Sequence, residues 1–367
     1  MSRLRIVSAL IAVTVIVSLT VVGLLVPHAA ESVVVGIILP LEEETYSHSS
    51  EIESAIEMAI DELNEWGGIG ETRIRLVLEE VEQDTENVTR AFEEIEAEHH
   101  PLMYITTGCG MLAILSPLAE ANSVPLFGMA SAIDATEGGD WVYRYFMSIQ
   151  SEVHSIISLM TRLDVSSLGI LYTSSPHGSS MNRSLSPEVA AAGWTVQSVG
   201  CPPSETDFSD EVDDLLTNEA IYVMTSCETL IGMLEAVQRS GFSGPVITAT
   251  CGSSPDMRTM IPIDPVFMSA PSLYRPENLY ALDFASDFEG AYNESLTHHG
   301  AISYDIIHLA HDLLKGRNAT RADLGERLDH GFVFSGVMGT IRIEQGVRNF
   351  DVPVYPSIVS GGELAYL

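Results

Sequence analysis

The sequence predicts an α/β protein of two lobes, each a parallel sheet with helices on both faces, and three observations carry that expectation. Apolar strand-like runs alternate with helical patterns through the first 250 residues, the order that specifies parallel sheets. At 367 residues the chain is too long for one small core and suits two lobes of ordinary size. No low-complexity linker separates the two series of elements, so two rigid lobes hinged around a cleft are expected.

The first unit sets the pattern. Val33–Leu39 is an apolar run that stops at Pro40, and a polar loop with Tyr46, Ser47, His48, Ser49 and Ser50 follows. A helical period then puts Ile52, Ile56, Ala59, Ile60 and Leu63 on one face, and Gly67-Gly68 closes it. A buried strand feeding a polar loop and a helix places that loop at the carboxyl edge of a sheet, where open α/β sheets bind ligands. Further strands are expected at 73–80, 102–106, 124–128, 167–172, 194–199, 220–225 and 245–249. Helices are expected between them at 85–98, 111–121, 151–163, 180–192 and 228–240. The lobe boundary falls near Arg144–Gln150, where Tyr143-Arg144-Tyr145-Phe146 ends the first series.

The N-terminus points outside the cytoplasm. Arg3 and Arg5 precede an uncharged run from Ile6 to Val26, which suits a secretory h-region and is also long enough to span a bilayer. Residues 1–30 are therefore read as a signal peptide or an N-terminal membrane anchor. No cysteine follows the run, so a lipoprotein anchor is unsupported. Charge is the second bound: 51 acidic against 17 basic residues give −34, with Lys315 the only lysine. Phosphate binding needs a basic footprint, so nucleic acid is excluded as a partner. Such a surface resembles that of a protein from a high-salt habitat or simply of an acidic exported protein, and both readings stay open.

Four cysteines (Cys109, Cys201, Cys227, Cys251) allow at most two disulfides and match no zinc spacing. A Cys227–Cys251 bridge between neighbouring strand tips and free buried thiols are the two readings. Sequons at Asn87, Asn182, Asn293 and Asn318 are candidate glycosylation sites.

Several segments, in order, resemble periplasmic binding proteins of the leucine/isoleucine/valine-binding type (type I). They include the Asn64–Ile69 helix end, Leu115–Leu126, Tyr143-Arg144, the glycine turns at Gly193 and Gly241, Ser303-Tyr304-Asp305, Phe334–Ile343 and Gly361–Leu364. The resemblance implies two Rossmann-like lobes joined by a three-crossover hinge. On that basis lobe one is 31–149 plus 273–337 and lobe two is 150–272 plus 338–367. It also implies a solute-binding protein of an ABC importer that captures a small polar solute (amino acid, amide, urea or short organic acid) and presents it to a membrane permease. The alternative is a membrane-anchored sensor or receptor ectodomain of the same fold. With no output domain read after Leu367, direct signalling is not expected unless a partner protein transmits it.

The loops at the strand ends give five candidate patches. The first holds Tyr46 and His48. The second is the Gly108-Cys109-Gly110-Met111 turn, whose backbone N–H groups suit a carboxylate at a helix N-terminus. The third is Ala130-Ser131-Ala132, where the family places a small residue and a hydroxyl on the ligand's carboxylate. In lobe two the patches are Ser174–Gly178, with His177 at the family's usual aromatic position, and Ser226-Cys227 with Thr250-Cys251. Each hydroxyl here also reads as an ordinary helix cap. Amino-acid-binding relatives carry an acid near Thr250 to pair with the ligand's ammonium; here Glu228 or Asp256 would have to substitute. The G-x-S-x-G, H-E-x-x-H and P-loop signatures are absent, and no enzyme activity, cofactor or metal is expected. The one metal-like cluster, Asp305, His308, His311 and Asp312, reads better as a solvated helix face.

Overall fold

The computed structural model describes residues 32–41, 48–131, 136 and 139–367. The expected signal or anchor segment lies outside the described residues, and among those described no helix is long and apolar enough to cross a membrane. Strand β1 (Ser32–Pro40) is buried along its length after Ser32, because helices cover both faces of its sheet. Helix α1 (Ser49–Glu65) lays Ile52, Ile56, Ala59 and Leu63 against it. The chain then reverses at Gly67 and Gly68, with φ of 108° and 80°. A Cβ at Gly68 would stand 1.9 Å from the Thr72 carbonyl oxygen, so only glycine fits that turn.

The series continues as β2 (Arg73–Val81), α2 (Thr85–His99), β3 (Met103–Thr107), α3 (Cys109–Asn122), β4 (Leu126–Met129) and β5 (Val142–Phe146). Lobe two runs α4 (Ile149–Arg162), β6 (Ser167–Thr173), α5 (Pro176–Ala191), β7 (Thr195–Cys201), α6 (Ser209–Asp213), β8 (Ala220–Met224), α7 (Cys227–Arg239) and β9 (Val246–Thr248). A 3-10 turn (Thr250–Ser253), α8 (Pro255–Met260) and β10 (Val266–Pro271) close that series. The chain returns to lobe one as α9 (Leu279–Tyr292), α10 (His298–Leu313), α11 (Arg321–Asp329), the hairpin β11 (Phe332–Gly336) and β12 (Gly339–Ile343), and β13 (Asn349–Asp351). It ends in lobe two as β14 (Val354–Ser360) and β15 (Glu363–Tyr366).

The first sheet has six strands in the order β13-β5-β4-β3-β1-β2, every pair parallel. The second has seven, β15-β14-β10-β9-β8-β6-β7, parallel except where β14 pairs with β10 and β15. The described chain passes between the sheets three times, after Phe146, after Pro271 and after Asp351. The last crossing corrects the expected boundary at 337/338. Phe334, Val337, Met338, Ile341 and Ile343 all insert into the lobe-one core, so a division there would split one hairpin. Asp305 fastens the hairpin turn by accepting from the Val337 N–H (2.7 Å) and the Met338 N–H (2.9 Å).

Arg144 ties two of the crossings together. Its fully buried guanidinium donates to the Phe146 carbonyl (2.7 Å) and to Asn349 Oδ1 (2.9 Å), and lies 3.4 Å from Asp351 Oδ1. Asp351 in turn accepts from the Ser148 N–H at 2.7 Å, and the Val352 N–H donates to the Phe146 carbonyl at 3.1 Å. The hinge is thus a hydrogen-bonded junction rather than a loose linker.

Candidate functional site

The carboxyl ends of both sheets face each other across a cavity of about 650 Å³. Its lobe-one wall comes from the ends of β1, β3, β4 and β5 and the start of α10; its lobe-two wall comes from the ends of β6, β8 and β9. This is where parallel sheets leave backbone N–H groups and helix N-termini free to meet a ligand.

On lobe one, α3 begins at Cys109 after Gly108, a cap residue with φ of 81° and no capping side chain. The Gly108–Gly110 turn lines the cavity beside Thr107, Ala130 and Ser131. Beside it stands an aromatic and imidazole wall: His48 stacks on His299 at 4.1 Å between ring centroids, and Phe146 lies 5.3 Å from His299 and 5.5 Å from His298. Burial and the charge on His48 push His298 down to about 3, and the same two effects with His298 push His299 well below the ordinary histidine value. Both are neutral at pH 7. His48 goes the other way. Burial opposes its charge, but hydrogen bonds and attraction from Cys227 and Glu51 raise it to about 10.

This wall is set by Glu51, in the first turn of α1. Its carboxylate accepts from the Thr297 N–H (2.5 Å), the Thr297 hydroxyl (2.8 Å) and the Gly300 N–H (3.0 Å), and so caps α10 from another helix.

On lobe two, Ser175 caps α5 by accepting from the Gly178 N–H (3.1 Å), whereas α7 follows Ser226 with no side-chain cap. His177 reaches across the cleft, its Nδ1 2.8 Å from the Ser131 hydroxyl. Burial holds His177 down to about 4, so it bridges the lobes as a neutral ring. Glu152 lines the floor, only 6% exposed, and accepts from the Thr250 hydroxyl. Burial raises its pKa above the usual carboxyl value. At the rim the Ser295 hydroxyl donates to Asp256 at 3.0 Å, another contact between lobes.

Of the residues expected from sequence, His48, Cys109, Gly110, Ala130, Ser131, His177, Ser226, Cys227 and Thr250 line this one cavity. Met111 does not. It is fully buried beneath α3 in the core with Val88 and Phe92, because the third residue of that helix turns inward. Tyr46 and Ala132 lie outside the described residues, as does the Glu228 side chain. The acid beside Thr250 is Glu152, and Asp256 is engaged at the rim instead. The Asp305–Asp312 segment is not the solvated face expected: Asp305 is fully buried and holds the β11–β12 turn, His308 faces Glu62 at 3.5 Å, and His311 pairs with Asp312. Among the described residues no group of side chains is arranged to hold a metal ion.

Sequence reasoning missed Glu152, Phe146, Thr225 and the His298-His299 pair. Their signals were present: an acid in the first turn after Ser148, and a Thr297 cap ahead of two histidines. The histidines form the first turn of α10, ahead of the Ser303-Tyr304-Asp305 segment on which the resemblance drew.

A family model described as "Periplasmic binding protein" matches residues 32–357. Among solved structures, a leucine-binding protein from Thermotoga maritima superposes with a TM-score of 0.79 at 17% identity, over 91% of this chain and 97% of that one. A branched-chain amino acid substrate-binding protein from Streptococcus pneumoniae, in complex with isoleucine, gives 0.78 at 16% identity over 91% and 98%. A solute-binding protein from R. palustris, in complex with benzoate, gives 0.80 at 15% over 92% and 96%. No curated protein matches significantly by sequence.

Proposed function

Because the chain belongs to the periplasmic binding protein family, we propose that it is the extracytoplasmic solute-binding protein of an ABC importer, capturing a small carboxylate-bearing solute between its lobes and delivering it to a membrane permease. Residues 6–26 serve as its export signal or anchor. The observation that carries the reading is the cavity of about 650 Å³ between lobes, bordered by the uncapped N-terminus of α3 and by Ser131. No lysine or arginine is among its described lining residues, so helix N-termini, hydroxyls and the protonated His48 supply the attraction for an anion. Isoleucine and benzoate, held by two structural relatives, share a carboxylate and little else, which supports that group as the common handle. Phe146 and the imidazole wall suit a flat or branched apolar remainder. Glu152 is the group that would favour an ammonium.

Closure works by differential contact. His177–Ser131 and Asp256–Ser295 already join the lobes, and a solute touching both walls adds free energy only to the closed arrangement. The test is thermal unfolding of the exported chain in high salt against amino acids, aromatic and short aliphatic acids, and their neutral amides and urea. Ligand at 100 times its Kd stabilises by about 2.7 kcal/mol. A carboxylate-bearing solute is expected to raise the transition while its amide does not; a response confined to neutral solutes would overturn the reading.

A further inference from the structure

Two of the four cysteines meet at the cavity wall. β8 and β9 are parallel neighbours with Val223 opposite Thr248, and each chain runs on a few residues to a cysteine at the start of the next helical turn. Cys227 and Cys251 both line the cleft, where each shifts the other's pKa, and the Cys251 thiol points at the Thr225 carbonyl 4.0 Å away. From the opposite lobe His48 hydrogen-bonds Cys227. The other two cysteines differ: Cys201 is fully buried at the end of β7, and Cys109 sits in lobe one beside Ser131 at 4.0 Å.

We propose that Cys227 and Cys251 form a thiol–disulfide exchange site in the cleft, whose substrates are small disulfides and whose product is an intralobe disulfide. The chemistry runs in two displacements. The Cys227 thiolate attacks one sulfur of R–S–S–R′, that S–S bond breaks, and R′–S⁻ leaves and takes up a proton. Cys251 then gives up its proton and attacks the Cys227 sulfur, expelling R–S⁻. The protein dithiol is oxidised by two electrons and the small disulfide is reduced to two thiols.

The surroundings assign the order. The Cys251 hydrogen bond lowers the Cys227 pKa most, burial opposes it, and His48 lowers it further, to about 6. Cys251 is held well above the ordinary thiol value by the neighbouring Cys227 and by burial. Cys227 is therefore the attacking sulfur, and once it is capped its negative charge no longer holds the Cys251 proton. Glu51 from α1, Glu152 from α4, Tyr222 from β8, His298 and His299 from α10, and Tyr274 under the Arg258 guanidinium are the other titratable or charged groups around the pair. Joining the sulfurs also removes the thiolate that faces His48 across the cleft.

The test follows dipyridyl disulfide reacting with the reduced, unliganded full chain, and so does not depend on which solute the cleft holds. A fast phase is expected with a pH midpoint well below the ~8.5 of a free thiol. Wild type should release two pyridinethiones and retain none, and peptide mapping should recover a Cys227–Cys251 disulfide. Cys251→Ser should stop at a pyridyl adduct on Cys227, and His48→Asn should move the midpoint upward. A fast thiol mapping to Cys109, a lasting adduct on wild-type Cys227, or a midpoint at the free-thiol value would each overturn the proposal; the mapping on wild type decides even if a variant fails to fold.

Discussion

Glu51 and Glu152 make a controlled pair. Each is 6% exposed, each sits in the first turn of a helix that starts at the cleft, and they belong to opposite walls. Glu51 accepts two backbone N–H groups and a hydroxyl from the start of α10. Glu152 has Thr250 as its partner and is pushed toward its protonated form by burial. The same side chain at the same depth is thus structural in lobe one and uncommitted in lobe two. Burial alone does not identify a ligand-binding acid; the hydrogen-bond account does.

The largest expected effect comes from breaking the satisfied member. Glu51→Ala orphans three donors at the head of α10 and removes a partner of His48, so it should cost about 2–4 kcal/mol in denaturant unfolding. Glu51→Gln, which keeps an acceptor, should cost less than half as much. A loss under about 1 kcal/mol for the alanine variant would mean that α10 finds other caps and would end the contrast between the two acids.

Glu152→Gln sharpens the other side. A raised folded-state pKa means that the folded chain holds this proton more tightly than the unfolded chain. That contribution to stability is complete below the ordinary carboxyl pKa of ~4.3 and is lost as pH rises through the folded value. Glutamine removes the loss, so the variant should equal or exceed wild type at neutral pH, with the gap closing in acid. Solutes carrying an ammonium should lose about tenfold in affinity, or ~1.4 kcal/mol, while simple carboxylates should bind unchanged. Equal loss for both classes would show that Glu152 orders the cleft rather than reads the ligand.

The two walls also differ in how far they could be read from sequence. Strand-to-helix loops announce themselves through apolar runs ending in glycine and hydroxyl residues, and that signal led to Gly110, Ser131, Cys227 and Thr250. Residues that reach the cavity from outside those loops carry no such mark. His298 arrives from a helix entered after the second crossing, and its place depends on Glu51, 247 positions earlier in the chain. Glu152 points at Thr250 only because α4 packs beneath β10 and β14, a fact of tertiary packing. The hairpin boundary failed for a related reason. Phe334 and Ile341 have the alternation of any antiparallel pair, and nothing local says which core they enter. Local pattern fixes elements and loops, whereas long-range capping decides which polar groups remain for function.

The smallest effect tests the contact that joins the walls. His177 is held neutral by burial, with a folded pKa of about 4 against an ordinary value near 6.5. The folded chain therefore binds this proton less readily than the unfolded one. Its contribution is complete above pH 6.5 and is lost as pH falls toward 4. The 2.8 Å bond to Ser131 spans the cleft, so the loss should fall on closure rather than on either core. Solute affinity should weaken several-fold between pH 6.5 and 4.5, and His177→Gln, which can still bond Ser131, should flatten that slope while keeping most of the affinity at pH 7. Titration calorimetry at both pH values separates the outcomes. An unchanged slope in the variant would move the pH dependence to the Cys227–His48 pair, another titratable contact between the lobes.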